Sequence, residues 1–204
     1  MSDIIQGSPE WFDLKRGKIS ASHIVDIMPG VKGKYMSTRK NYIAQLVCEI
    51  LTGNTEETFK SGPMMWGTET EPLARQAYEA LTGEWVEEIA FIDHPTIDRC
   101  GCSPDGIVGA IGGLEIKCPN TATHIDTLLN ETVKRDYVFQ MQHCMSCTGR
   151  DWWDFVSFDP RLDEKNQIFL KRFARDNGMI AEIDSEIIKV NAEVDTLIEK
   201  LRNR

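Results

Sequence analysis

An α/β domain is the fold class that this sequence predicts, and three observations carry it. Apolar residues in the first third recur at helical spacing, the middle switches to the short period of β-strands, and the last segment is a long amphipathic stripe. A chain of 204 residues can bury a sizeable core without disulfides or a structural metal. No repeat, low-complexity tract or linker interrupts it, so residues 1–204 read as a single domain.

The elements follow in order. Ser8-Pro9-Glu10 opens a helix with a cap, an N1 proline and an early acid, and Gly17 stops it. A short helix begins at Ser20-Ala21-Ser22, carries Ile24, Val25, Ile27 and Met28 on one face, and ends at Pro29-Gly30. Gly33-Lys34-Tyr35 is a basic loop before a helix from about Thr38 to Leu51, which Thr52-Gly53 terminates. Asn54 to Gly62 is a polar loop. The pattern from Met64 to Leu81 is helical, although Pro72 must start, kink or offset one of its turns. Trp85 to Ile92, Arg99 to Pro104 and Gly113 to Cys118 then read as a β-meander. Helices near Thr121 to Asn130 and Asp136 to Cys147 precede strands Trp152 to Phe158 and Gln167 to Ala174. A final helix from Ile180 to Leu201 aligns Ile183, Ile187, Val190, Val194, Leu197, Ile198 and Leu201.

Composition narrows the function. Apolar residues make up 41% and charged residues 27%, as in ordinary globular proteins, and no apolar run approaches the roughly 18 residues that cross a bilayer. The first residues lack the basic cluster and apolar core of an export signal. Six cysteines at irregular spacing do not form a disulfide framework. The expectation is a cytoplasmic protein with free thiols and with no membrane partner. A net charge of −9 argues against a protein that coats nucleic acid, which needs clustered Lys and Arg. It does not argue against a nuclease, because metal ions neutralise catalytic carboxylates and basic residues can be gathered in one channel.

Chemistry concentrates in Ser103-Pro104-Asp105-Gly106, followed after eight residues by Glu115-Ile116-Lys117. Strand alternation puts Glu115 and Lys117 on one face and Ile116 on the other. The turn-rich stretch from Gly106 to Gly113 folds Asp105 back beside them. Two carboxylates that close repel, and one takes up a proton unless a cation lies between them. Mg²⁺ accepts one or two carboxylates and keeps water in its other positions, so Asp105, Glu115 and the Ile116 carbonyl would hold it, with Mn²⁺ as the alternative ion. Lys117 would orient or deprotonate the attacking water. Taken alone, the same residues also fit an ordinary Asp-Gly turn and a solvated cross-strand pair.

Further blocks set that pattern in context: Trp11-x-x-Leu14-x-x-Gly17-x-Ile19-Ser20-Ala21-Ser22, Trp66-Gly67-x-x-x-Glu71-x-x-Ala74-Arg75, Cys102 to Gly106, Leu114 to Pro119, Gln140-x-Gln142 and Asp159-Pro160-Arg161. In this order, over roughly Trp11 to Arg161, the chain resembles the PD-(D/E)xK nucleases, specifically the lambda-exonuclease-like, YqaJ-type viral recombinase nucleases. The resemblance implies a restriction-endonuclease-like core, a central mixed β-sheet flanked by helices. It also implies a Mg²⁺-dependent 5′ to 3′ exonuclease that acts on double-stranded DNA ends, releases 5′ mononucleotides and leaves a 3′ single strand. A homotrimeric ring, a single-strand annealing partner and a phage recombination setting belong to the same implication. The rival readings are an endonuclease or repair nuclease with the same metal site, and a non-catalytic DNA-end-binding module.

By that resemblance Asp105 and Glu115 hold metal, Lys117 is the catalytic lysine, Glu71 is the helical acid near the metal and Gln140 is an active-site glutamine. Read locally, Glu71 is a first-turn glutamate favoured by the helix dipole, and Gln140 an exposed helix residue. Ser20 and Ser22 match a 5′-phosphate pocket, where helix-start amides and hydroxyls are ready anion ligands; N-capping is the other reading. Lys15 stands where the family usually has an arginine, with Arg16 adjacent, and a lysine lacks the bidentate fork. Lys32 lies near a second family arginine, Thr123 falls at a third, and Ser103 is grouped with the DNA contacts. Met64 matches an apolar wedge that parts the terminal base pair, whereas an apolar residue at a helix start otherwise packs in a core.

Cys100, Cys102, Cys118, His143, Cys144 and Cys147 lack the paired spacing of zinc or iron-sulfur ligands, so neither is expected. Cys144 and Cys147, three apart on a helix, read as small buried residues. No histidine takes a catalytic role, and His23 is expected at solvent or phosphate. Trp152, Trp153, Phe155 and Phe158 read as core rather than as a base-stacking platform.

Overall fold

Ser8 starts the first helix as its sequence requires. Its side chain accepts from the Trp11 N–H, and Pro9 opens α1 (Pro9–Lys15). Gly17 ends the turn at a φ of +66°, where a Cβ would also meet Ile50 at 2.6 Å. The computed structural model describes residues 4–30, 33–55 and 62–204.

Beyond Gly17 the expected helix start at Ser20 is replaced. Ile19–Ser20 is strand β1, followed by a single 3₁₀ turn, Ala21–His23, and one turn of helix, α2 (Ile24–Ile27). Parallel pairing of β1 with β4 (Cys100–Cys102) buries Ile19 completely, and this tertiary pairing overrides the local capping signal. Helix α3 (Ser37–Thr52) ends at left-handed Gly53, and α4 (Gly62–Thr82) runs through Pro72.

The expected meander divides between two sheets. Val86–Glu87 (β2), Gly106–Val108 (β5), Gly112–Lys117 (β6), Trp152–Phe158 (β7) and Ile168–Ala174 (β8) form five strands in the order β2-β5-β6-β7-β8. Strands β1, β4 and Ile92–Asp93 (β3) form the other sheet, in the order β1-β4-β3. Residues 85–92 are therefore not one strand: their two ends belong to different sheets. Strands β6 and β7 are parallel, while the other pairs of the larger sheet are antiparallel. A parallel pair needs a crossover, and α5 (Thr121–Asn130) with α6 (Arg135–Thr148) supplies it.

Strand alternation decides what each helix covers. Leu114, Ile116, Val156 and Phe158 pack with Ala74 and Tyr78 of α4, whereas Trp153 and Phe155 meet Met141, Cys144 and Met145 of α6. The central mixed sheet is thus flanked by helices on both faces. A further layer joins α7 (Asn177–Arg202) to α2 and α3 through Ile183, Ile187, Val190, Val194 and Ile198. Gly113 is required at its place in β6, because a Cβ there would meet the Trp153 ring at 2.3 Å.

Candidate active site

The stretch expected as a turn is a hairpin. Strands β5 and β6 pair from Gly106↔Leu114 to Val108↔Gly112, and Gly109 takes a φ of +52° in the connection. Asp105, immediately before β5, is thereby brought against β6, where its Oδ2 accepts from the Ile116 N–H at 2.7 Å. The Lys117 ammonium contacts Oε1 of Glu115 directly and lies 5.3 Å from the ring centroid of Tyr137 on α6. Glu115 is 0% exposed, and beyond the Lys117 contact on Oε1 its carboxylate has no partner among the described residues, so that Oε2 is unmatched.

Glu71 comes from the interior of α4, not from its first turn, so the helix dipole does not account for it. Arg75 donates to Glu71 Oε1 at 2.8 Å and to the Asp105 carbonyl at 3.2 Å. Burial, and then the Asp105 charge, push Glu71 up to about 7. Burial pushes Glu115 up to about 8, with Lys117 pulling the other way, and raises Asp105 as well. Burial opposes the charge on Lys117, yet Glu115 and Asp105 outweigh it and hold the lysine above its ordinary value.

Three acids, Glu71, Asp105 and Glu115, against two cations, Lys117 and Arg75, leave an excess of negative charge when all are ionised, which a metal ion would relieve. Among the described residues no three His, Cys, Asp or Glu side chains group closely enough to hold a metal ion. The donor set is instead the Asp105 and Glu115 carboxylates with the Ile116 backbone carbonyl, all oxygen, a set that suits a hard cation such as Mg²⁺ and not zinc. The unpartnered Oε2 of Glu115 is the structural sign of that fit.

The structure brings Glu71, Asp105, Glu115 and Lys117 together. Gln140 is half-buried on α6, one helical turn beyond Tyr137 and so on the face turned toward Lys117. A second group is linked to this one through Trp11. Its indole N–H donates to Ser103 Oγ at 2.9 Å, and the Lys15 ammonium lies 3.9 Å from its ring centroid. Burial lowers Lys15 to about 8. Arg16 pairs with Asp13. The hydroxyls of Ser20 and Ser22 are 3.4 Å apart, but the Ser20 N–H already donates to Tyr42 Oη, so that amide is not a free anion ligand. Met64 is 52% exposed at the start of α4 and is not core. The Thr123 N–H is capped by Asn120, and Lys32 lies outside the described residues. His23 bonds to Asp26 and stacks on Tyr42, beside an open groove of about 520 Å³ that Glu71, Asp105 and Glu115 do not line.

Two arrangements were not legible in the spacing. Cys100 and Cys102 on β4 and Cys144 and Cys147 on α6 are all buried, and His143 Nε2 lies 3.8 Å from Cys100 Sγ and 3.4 Å from Cys147 Sγ. All six cysteines are free thiols. His94, Ser146 and Asp184 also form a chain, but it is no nucleophilic triad. Nδ1 of His94 accepts from the Thr96 and Ile97 N–H groups, so Nε2 donates to Ser146 Oγ, whose proton goes to Asp184.

Residues 10–151 match the model of the YqaJ-like viral recombinase domain. The chain belongs to that family. The matched YqaJ-like region takes in Glu71, Asp105, Glu115, Lys117 and Gln140 and stops just before β7. Among solved structures, an alkaline exonuclease (LHK-Exo) from Laribacter hongkongensis is 47% identical, with a TM-score of 0.90 over 96% of this chain and 97% of that one. The same protein in complex with dAMP matches with the same figures. A phage related exonuclease from Haemophilus somnus 129PT, 20% identical, matches in fold with a TM-score of 0.72 over 90% of this chain and 96% of that one. No curated protein matches the chain.

Proposed function

We propose that this YqaJ-like protein is a Mg²⁺-dependent nuclease that degrades the 5′ strand of duplex DNA from its end, releasing 5′ mononucleotides and leaving a 3′ single strand. The observation that carries the reading is Glu115, wholly buried, with Lys117 on its Oε1, no partner on Oε2 among the described residues, and Asp105 raising its pKa further by its charge. Its likeness to an alkaline exonuclease supports nuclease activity, and that protein's complex with dAMP supports a mononucleotide product.

Asp105, Glu115 and the Ile116 carbonyl would hold the ion. When bound, Mg²⁺ supplies a lowered pKa for its water and stabilises charge on the scissile phosphate. Lys117 orients the attacking water, and its ammonium neutralises the charge that develops on the phosphate. Glu71 and Gln140 position the water and the scissile strand from the two flanking helices. Lys15, Arg16, Ser20, Ser22, Ser103 and, outside the described residues, Lys32 would receive the terminal 5′-phosphate, while Met64 parts the last base pair. The reading extends to a homotrimeric ring around the duplex, an annealing protein that takes the 3′ strand, and Mn²⁺ as a substitute ion.

The deciding experiment incubates end-labelled linear duplex, carrying 5′-phosphate or 5′-hydroxyl termini, with and without Mg²⁺. Labelled mononucleotide should appear only from phosphorylated ends with the ion present. Cutting of a closed circle would instead indicate an endonuclease, and end binding without any cleavage a non-catalytic module.

A further inference from the structure

Arg75 lies one turn beyond Glu71 on α4, and its side chain is 13% exposed. One nitrogen, Nη2, serves both Glu71 Oε1 at 2.8 Å and the Asp105 carbonyl oxygen at 3.2 Å. The other, Nη1, meets Glu88 Oε1 at 2.9 Å, on the segment between β2 and β3. An ordinary i, i+4 ion pair ties one turn of its own helix to the next and needs no third partner. Here a single nitrogen spans the helical acid Glu71 and the backbone of Asp105, just ahead of β5. The location of the Glu71 carboxylate is therefore set against Asp105 and not merely against α4.

We propose that Arg75 is a positioning residue for the acidic site, fixing Glu71 against the Asp105 backbone so that the helix and strand acids keep one separation. This rests on the hydrolytic reading of that site. Arginine suits the task because its planar fork reaches acceptors on α4, on the Asp105 turn and at Glu88 at once, whereas the single ammonium of lysine cannot reproduce those directions. Its charge also counters the burial and the Asp105 charge that push Glu71 up. Groups that orient the ligands of a metal site change affinity or activity by about 10–100-fold when removed.

The test compares wild type with Arg75→Ala, Arg75→Lys and Arg99→Ala. The last removes another bidentate ion pair, with Asp195, away from the site. Cleavage of 5′-phosphorylated duplex with Mg²⁺ is resolved into kcat and KM, Mn²⁺ binding is measured by calorimetry without DNA, and duplex binding is measured without divalent ion. Arg75→Ala should lose about 10–100-fold in kcat and weaken Mn²⁺ binding by a similar factor. Its KM and metal-free duplex binding should stay within about threefold of wild type. Arg75→Lys should recover only part of the loss, and Arg99→Ala should lower the melting temperature while keeping kcat. Wild-type kcat in Arg75→Ala or Arg75→Lys, or a loss confined to KM and duplex binding, overturns the proposal. Should Arg75→Ala not fold, Arg75→Lys decides by the same criteria. If wild type does not cleave at all, the hydrolytic reading fails on its own. Mn²⁺ binding then judges Arg75: weaker binding in the variants supports it and equal binding overturns it.

Discussion

The Asp105 carboxylate accepts a 2.7 Å hydrogen bond from the backbone N–H of Ile116, the residue between Glu115 and Lys117. One oxygen of the acid is thereby committed to the hairpin, and the geometry of the three side chains follows from strand register rather than from a flexible loop. The cost is burial, which raises Glu71, Asp105 and Glu115 together, with repulsion from the Asp105 charge adding to it at Glu71 and Glu115.

Asp105→Asn should separate those two roles. The amide carbonyl still accepts from Ile116, so the hairpin keeps its lock, while a buried charge disappears. Cleavage should fall by at least about 100-fold, and the metal-free melting temperature should hold or rise. Calorimetry and initial rates check both parts. Cleavage within a few-fold of wild type would remove Asp105 from the chemistry.

Glu115 at about 8 and Glu71 at about 7 both lie above their ordinary 4.5. An acid whose folded value is raised binds its proton more tightly folded than unfolded. Its stabilising contribution is full below the unfolded value and is lost as pH rises through 7 to 8. Without metal the melting temperature should fall between about pH 5 and pH 8.5. Mg²⁺ competes with protons for the same oxygens, so the stabilisation it gives should grow across that window. Melting curves in chelator and in Mg²⁺ that stay parallel with pH would place any bound cation elsewhere.

The convergence of Asp105, Glu115 and Lys117 was legible in the sequence because strand alternation fixes Glu115 and Lys117 to one face regardless of what surrounds them. Long helices were legible for a similar reason: the stripe of α7 repeats over many turns. Two-residue strands are a different matter. Ile19–Ser20 becomes β1 only because β4 lies beside it, and no local signal says so. Residues 85–92 read as one strand because nothing in their pattern records that Val86 pairs with Val108 while Ile92 pairs with Cys102. The local reading of Glu71 as a first-turn residue needs Pro72 to open a helix, and α4 instead carries Pro72 within it, a choice the sequence leaves open. The meeting of Cys100 and Cys102 with Cys144 and Cys147 likewise depends on how β4 packs on α6, which spacing along the chain does not encode.

Asp154 clamps α4 to the sheet. It is 1% exposed, and it accepts from Tyr78 Oη at 2.8 Å and from two nitrogens of Arg172, each at 2.8 Å. Asp154→Ala leaves a buried hydroxyl without its acceptor and a guanidinium without its counter-charge. The loss should be about 2–4 kcal/mol, in the lower part because Arg172 is half exposed and solvated. Urea unfolding measures it, with cleavage per folded molecule unchanged. A loss below about 1 kcal/mol would mean that water replaces the acid at little cost.

Gly113 and Gly109 differ in what an added methyl group would meet, and so their alanine variants should differ in kind. At Gly113 the Cβ would lie 2.3 Å from the Trp153 ring, which is itself fully buried between α6 and the sheet and has nowhere to turn. Strand β6 must therefore move, at a cost of about 1–3 kcal/mol, and Glu115 and Lys117 move with it, since they follow two and four residues along the same strand. At Gly109 nothing lies within 4 Å, and the penalty comes from a φ of +52° alone, about 1–2 kcal/mol. Gly109→Ala should lower the melting temperature and keep kcat, while Gly113→Ala should lower both. If Gly113→Ala retains wild-type kcat in its folded fraction, β6 can shift without disturbing the acids, and the strand register does not hold them as tightly as the hairpin geometry implies.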